Sequence, residues 1–164
     1  MSLYNEFPNL DVKYLEEIEA NASDILNDPA YQEDRKYMQH GNVSIYEHTI
    51  TVACYALEMA DKRHLDIDRR VLIRACLLHD HFGYDWHTDK DKSGGKRHSY
   101  RHPAIAAERA KEDFDIDEKT ESAIRSHMWP LGDHGPKSKE AWLLFWADKK
   151  SAFKESFREG KLNW

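Results

Sequence analysis

Apolar residues recur at three- and four-residue intervals along most of this chain, and no stretch alternates apolar with polar residues long enough to read as a strand. The pattern predicts an all-α protein. A first helix is expected from Asp11 to about Asn27, closed by Asp28-Pro29, with a short helical piece over Ala30–Met38. A longer helix follows from Ser44 to about Lys62. Asp68 suits the N-cap of a helix over Arg69–Asp80, and His102-Pro103 suits the start of another, with proline at its first position, ending near Phe114. Asp117 opens a helix reaching Met128. Pro130, Gly132, Gly135 and Pro136 then interrupt the chain before Ser138 caps a last helix to about Ser156. Gly83–Arg101, with paired glycines Gly94-Gly95 and mixed charges, reads as one long irregular segment of the kind that is usually either functional or disordered.

Ligand-type side chains interrupt these apolar faces. His48 falls on the stripe of Ile45, Val52, Tyr55, Ala56 and Met59, and His79 follows Leu72 and Cys76 at helical spacing, with Asp80 directly after it. Thr120, Ile124 and His127 align, as do Ala141, Leu144, Phe145, Asp148 and Ala152. A carboxylate at a helix C-terminus, as at Asp80, is unfavourable without a positive partner. One in an apolar stretch, as at Asp148, must pair or ligate a cation. Singly, each residue reads as a hydrogen-bonded core group. Four helices each bringing one inward, and a fifth beginning at His102, point instead to a metal site.

Length and composition leave room for that reading. The 164 residues make about one domain on a prior of roughly 100–200 residues per domain. Nineteen aromatic residues supply core material, so the chain needs no metal for folding. Residues 1–164 are therefore expected to form one unit, with the metal-binding core at about 40–150 and the N-terminal helix at 11–27. The net charge of −6 disfavours extended nucleic acid and anionic membrane. No apolar run approaches a membrane span and the N-terminus has no signal-peptide pattern, so a cytoplasmic protein is expected. Cys54 and Cys76 sit in apolar helical contexts and read as buried free thiols. Imidazole and carboxylate without thiolate suit Mn, Fe, Co, Ni, Mg or Zn, and the supply of ligands fits two divalent ions better than one.

The order His48, His79-Asp80, His102, His127, Asp148, with separations of 31, 22, 25 and 21 residues, resembles the HD-domain superfamily of metal-dependent phosphohydrolases. The strings HGNVSIYEHTITVA, LLHDHFGYDWH, YRHPAIAAE and SHMWPLG are similar to a group of small bacterial HD proteins. The resemblance implies a helical bundle and one or two divalent ions. It makes His48, His79, Asp80 and Asp148 ligands of the first ion, with Asp80 bridging to a second held by His102 and His127. It further implies hydrolysis of a small phosphorylated substrate, a nucleotide or another phosphomonoester, by metal-activated water. Two departures stand out. Gly83 lies one place late for the HDIGK string of cyclic-dinucleotide enzymes, and occupies the glutamate position of the HD-x-x-E string of deoxynucleotidases.

A leaving-group acid is not transferable from the family. His81, Asp85 and His98 are candidates by proximity to the HD pair or the loop, each with an equally simple structural role. Lys96, Arg97 and Arg101 could bind substrate phosphate, and His40 and Arg35 could line the mouth of the pocket. Two other classes share the ligand constellation: a di-iron oxygenase, and a non-catalytic regulatory module that keeps its metal. The sequence leaves the oligomeric state open.

Overall fold

The computed structural model describes residues 2–89 and 97–158. Its described residues form eight α-helices: α1 (Leu3–Glu6), α2 (Val12–Leu26), α3 (Pro29–Gln32), α4 (Ile45–Lys62), α5 (Arg69–Leu78), α6 (His98–Asp113), α7 (Glu118–Arg125) and α8 (Lys139–Arg158). A 3-10 turn (Glu33–Lys36) and a short antiparallel hairpin, β1 (Met38–His40) with β2 (Val43–Ser44), join α3 to α4. The all-α class expected from the pattern is correct.

Local chemistry sets most helix starts. Asp11 accepts from the Lys13 amide at 3.0 Å, Asp68 from Val71 at 3.0 Å, Asp117 from Thr120 at 2.7 Å and Ser138 from Ala141 at 3.1 Å. Ser44 and Glu47 form a reciprocal capping box at the start of α4. Each cap satisfies an amide that the first helical turn leaves without a partner.

Helix α4 is the axis of the bundle, packed lengthwise against α5 and α8, while α7 bridges α5, α6 and α8 and α2 covers α5. Ile50, Ala53, Leu57, Leu72, Ile73, Leu77 and Leu144 fill the space between them, all fully buried. Two polar clamps tie the layers. Arg74 of α5 reaches Asp24 of α2 with both terminal nitrogens, at 2.7 and 2.9 Å. Glu140 of α8 accepts from the Asp68 amide at 2.7 Å and from Lys119 at 2.9 Å.

Four expectations need correction. Helix α6 begins at His98, not His102, so residues 98–101 are helical and Pro103 lies inside it. The final helical turn before Asp80 opens after Leu78, with His79 as C-cap. The piece expected over Ala30–Met38 is α3 followed by the 3-10 turn. The hairpin went unforeseen because its strands are three and two residues long, too short for any alternation to register. Gly41, at φ 55°, supplies the left-handed residue its turn needs.

A cavity in the α4 interface tests this packing. Leu57→Ala should cost about 2–5 kcal/mol in urea unfolding, as fully buried leucines do. A loss well below 1 kcal/mol, on the scale set by core truncations, would mean that α4 is not the packing axis.

Candidate metal centre

Six side chains from five parts of the fold converge in the middle of the bundle. His48 comes from the second turn of α4, His79 and Asp80 from the C-terminal end of α5, His102 from α6, His127 from just past α7, and Asp148 from the third turn of α8. All six are buried. Two groups share one member: His48, His79, Asp80 and Asp148 form the first, and Asp80, His102 and His127 the second.

Asp80 divides its two oxygens between them. Oδ2 lies 3.3 Å from His79 Nε2 and 3.6 Å from His48 Nε2, whereas Oδ1 lies 3.3 Å from His102 Nε2 and 3.4 Å from His127 Nε2. Asp148 Oδ1 closes the first group, 3.0 Å from His48 Nε2 and 3.3 Å from His79 Nε2.

The imidazoles are held so that Nε2 faces inward. The Nδ1–H of His79 donates to the Cys76 carbonyl at 2.7 Å, that of His127 to Ile124 at 2.7 Å, and that of His102 to His98 at 3.0 Å. His48 instead directs its Nδ1–H across to Glu155 of α8, at 3.0 Å. Ser151 donates to the same carboxylate at 2.8 Å. These contacts select the tautomer that leaves the Nε2 lone pair for a cation.

Three observations fit this set to bound cations. Asp80 Oδ1 and His79 Nε2 are buried without a hydrogen-bond partner, a costly state for polar atoms. His102 and His127 bring their Nε2 atoms to 2.9 Å of each other although each has already given its Nδ1–H to a carbonyl, so two lone pairs face one another when both rings are neutral. Finally, donor atoms bound to one ion at about 2.0–2.2 Å stand roughly 2.9–3.6 Å apart at tetrahedral or octahedral angles, which is the spacing within both groups.

Electrostatics follow the same geometry. Burial works against a proton on His48, but Asp148 and Glu155 outweigh it and raise the pKa to about 9. At His79 burial is likewise outweighed by Asp80 and Asp148, giving about 10. At His127 burial, with the neighbouring His79 and His102 rings, overrides Asp80 and lowers the pKa to about 4. Burial would protonate Asp80 and Asp148, yet the adjoining imidazoles hold both well below the usual carboxylate range.

The remaining expected site residues are distributed unevenly. His40, half-buried on β1, lies edge-on to His48 with ring centroids 5.6 Å apart. His98 is buried, not in an open loop, and stacks on His102 with centroids 4.7 Å apart, with Trp86 lying parallel on it at 4.8 Å. His81 is not brought into either group: Asp34 lies 2.7 Å from its Nδ1 and Asp113 2.9 Å from its Nε2. Asp85 caps the His87 amide at 2.9 Å. Arg35 is directed away from the centre, paired with Glu6 at 2.8 Å and lying over the Tyr46 ring. Arg97 and Arg101 are exposed near the start of α6, and Lys96, with Gly94-Gly95, lies outside the described residues.

Two residues at the centre were not foreseen. Glu155 continues the inward stripe of α8 one heptad beyond Asp148, and extending that stripe would have found it. Gln39 of β1 donates its amide to Asp80 Oδ2 at 2.7 Å, and its carbonyl oxygen is buried without a partner. Nothing short of the hairpin fold signals it.

Gly83, in the place of the deoxynucleotidase glutamate, has a φ of 80°, a backbone conformation strained for other residues, and lies against the Arg109 guanidinium.

No curated protein and no solved structure matches the chain. A model of the HD domain family matches residues 45–152, well over half of the chain, from the first residue of α4 into α8 and across all six converging residues. That family suggests metal-dependent, hydrolase-type activity, and the clusters are able to hold such a metal. The chain thus belongs to the HD domain family.

Proposed function

We propose that this protein is a metal-dependent phosphohydrolase with a two-ion centre, cleaving a small phosphorylated substrate, a nucleotide or other phosphomonoester. The observation that carries this reading is the division of Asp80, one oxygen facing each group. His48, His79, Asp80 and Asp148 would hold the first ion, and Asp80, His102 and His127 the second. Bound there, the ions supply an acidified water as nucleophile and positive charge for the phosphoryl oxygens.

The chain's own groups perform the remaining tasks. Glu155 keeps His48 in the ligating tautomer. Gln39 restrains the Asp80 carboxylate from the hairpin side and keeps a spare acceptor oxygen beside it, able to orient a water hydrogen. Of the three candidate proton donors, His98 lies against the centre through its stack on His102, and we assign it leaving-group protonation. The Tyr84 hydroxyl and Trp86 indole N–H, buried without partners beside His98, are donors suited to substrate oxygens. Arg101 and Arg97 are left as the described cations for a remote phosphate.

The reading is tested by screening phosphomonoesterase and phosphodiesterase activity after separate loading with Mn²⁺, Co²⁺, Ni²⁺ and Mg²⁺. Turnover of at least one phosphate ester is expected. A coloured protein with two irons that consumes oxygen and hydrolyses nothing would place it in the oxygenase class.

Asp80→Ala should lose both ions and all activity, whereas His102→Ala should keep the first ion; elemental analysis of the Mn²⁺-loaded variants reads the difference. Retention of two ions by Asp80→Ala would defeat the bridging assignment. Removal of the metal by a chelator should leave the helical circular dichroism intact, because the apolar core does not depend on it.

Metal uptake should also release protons. With pKa values of about 9 and 10, His48 and His79 are both charged at neutral pH and must each lose a proton to ligate. Calorimetry at pH 7 in buffers of differing ionisation enthalpy should show about two protons released as the first ion binds, the number falling as the pH rises through 9 and 10. Affinity should rise correspondingly with pH. His127, neutral at pH 7, adds nothing. A pH-independent uptake with no proton release would contradict the assignment of His48 and His79 as ligands.

A further inference from the structure

Away from the metal centre, the outer face of α8 and the C-terminal end of α4 enclose a groove of about 820 Å³. Its apolar surface comes from Trp142, Trp146 and Phe153, with Met59 and Leu65 opposite. Trp142, Trp146 and Phe153 are 40, 58 and 55% exposed, although large aromatic side chains ordinarily contribute to a core. Their spacing of four and seven residues forms one helical stripe, on which Trp129 meets only the edge of Trp142, at 5.8 Å, while Trp146 and Phe153 stay more than half exposed. Such a stripe is far more apolar than the exposed face of a bundle helix needs to be.

The charge around it is one-sided. Arg63, Lys139, Lys150 and Lys154 line the groove and no acidic residue does, in a chain whose net charge is −6, while Lys149 at its edge turns to Asp148 at 3.3 Å and the His127 carbonyl at 3.2 Å. Lys150 and Lys154 extend over the Tyr55 ring, and Lys150 reaches Glu58 only at 3.8 Å. From Lys139 to Lys154 the groove runs about 22 Å along α8, roughly four helical turns.

We infer that this groove docks an acidic amphipathic helix of a partner protein, apolar side chains on the aromatic floor and carboxylates against the lysines. A second copy of the chain in a two-fold arrangement would set cation against cation, because such an interface is self-complementary. A flat bilayer would meet the rim and leave the concave floor unfilled. A helix carrying apolar residues at i, i+4 and i+7 reaches the floor, and its acidic flanks answer the rim.

A fluorescein-labelled synthetic peptide of roughly 16 residues, matching four helical turns, with leucines on one face and flanking glutamates, is the probe. Saturable anisotropy change is expected with the full-length protein, weakened by added salt and about tenfold weaker for the same peptide with lysines in place of the glutamates. Trp146→Ser with Phe153→Ser should abolish it, and Lys150→Glu with Lys154→Glu should weaken it, both with unchanged circular dichroism. The substituted side chains lie outside the metal centre, so metal content should also stay unchanged and failure here leaves the phosphohydrolase reading standing. Equal binding of the two peptides, or none, overturns the inference. So does dimerisation in sedimentation that Trp146→Ser with Phe153→Ser removes, which would make a second copy the occupant. Co-sedimentation with phosphatidylglycerol vesicles that the acidic peptide fails to displace would overturn it in favour of a membrane.

Discussion

A single buried carboxylate organises this protein. Asp80 is 1% exposed and is flanked by four imidazoles, two beside each of its oxygens. Burying such a charge is tolerable only where positive charge surrounds it, as protons on the histidines or as metal. Asp148 and Glu155 complete the balance on one side only, which is why His48 and His79 hold their protons tightly while His127 gives its up. The asymmetry makes the first group an acidic pocket suited to a strongly held cation, and the second a largely imidazole one.

The bundle supports this by giving each histidine ring a fixed partner for Nδ1. His79 and His127 stand at or just past the ends of α5 and α7 and are held by the carbonyl three residues back, and His102 in α6 by the carbonyl four residues back. His48, in the second turn of α4, is held by Glu155 from another helix. The capping box at Ser44 fixes where α4 begins and hence where His48 faces. Helix register thereby becomes site geometry.

Much of this was legible in the chain. Asp11, Ser44, Asp68, Asp117 and Ser138 announced their helices because a cap is a local interaction between neighbouring residues. The six inward residues showed as polar interruptions of apolar stripes, a signal carried within each helix. What escaped depends on contacts distant in sequence. Glu155 earns its place from His48, 107 residues away, and Gln39 reaches Asp80 from a hairpin too short to leave a pattern. His98 read as loop because glycines and charges precede it, although burial against Trp86 and His102 draws it into α6. Arg35 and His81 were misdirected by proximity in sequence; each is satisfied by partners elsewhere, Glu6 for the first and Asp34 with Asp113 for the second.

Crystals of the Mn²⁺-loaded protein measured at a wavelength where manganese scatters anomalously would test the central claim most directly. The account predicts two anomalous peaks, one beside each oxygen of Asp80, within bonding distance of the Nε2 atoms of His48 and His79 on one side and of His102 and His127 on the other. A single peak, or two peaks with Asp80 touching only one, would contradict it.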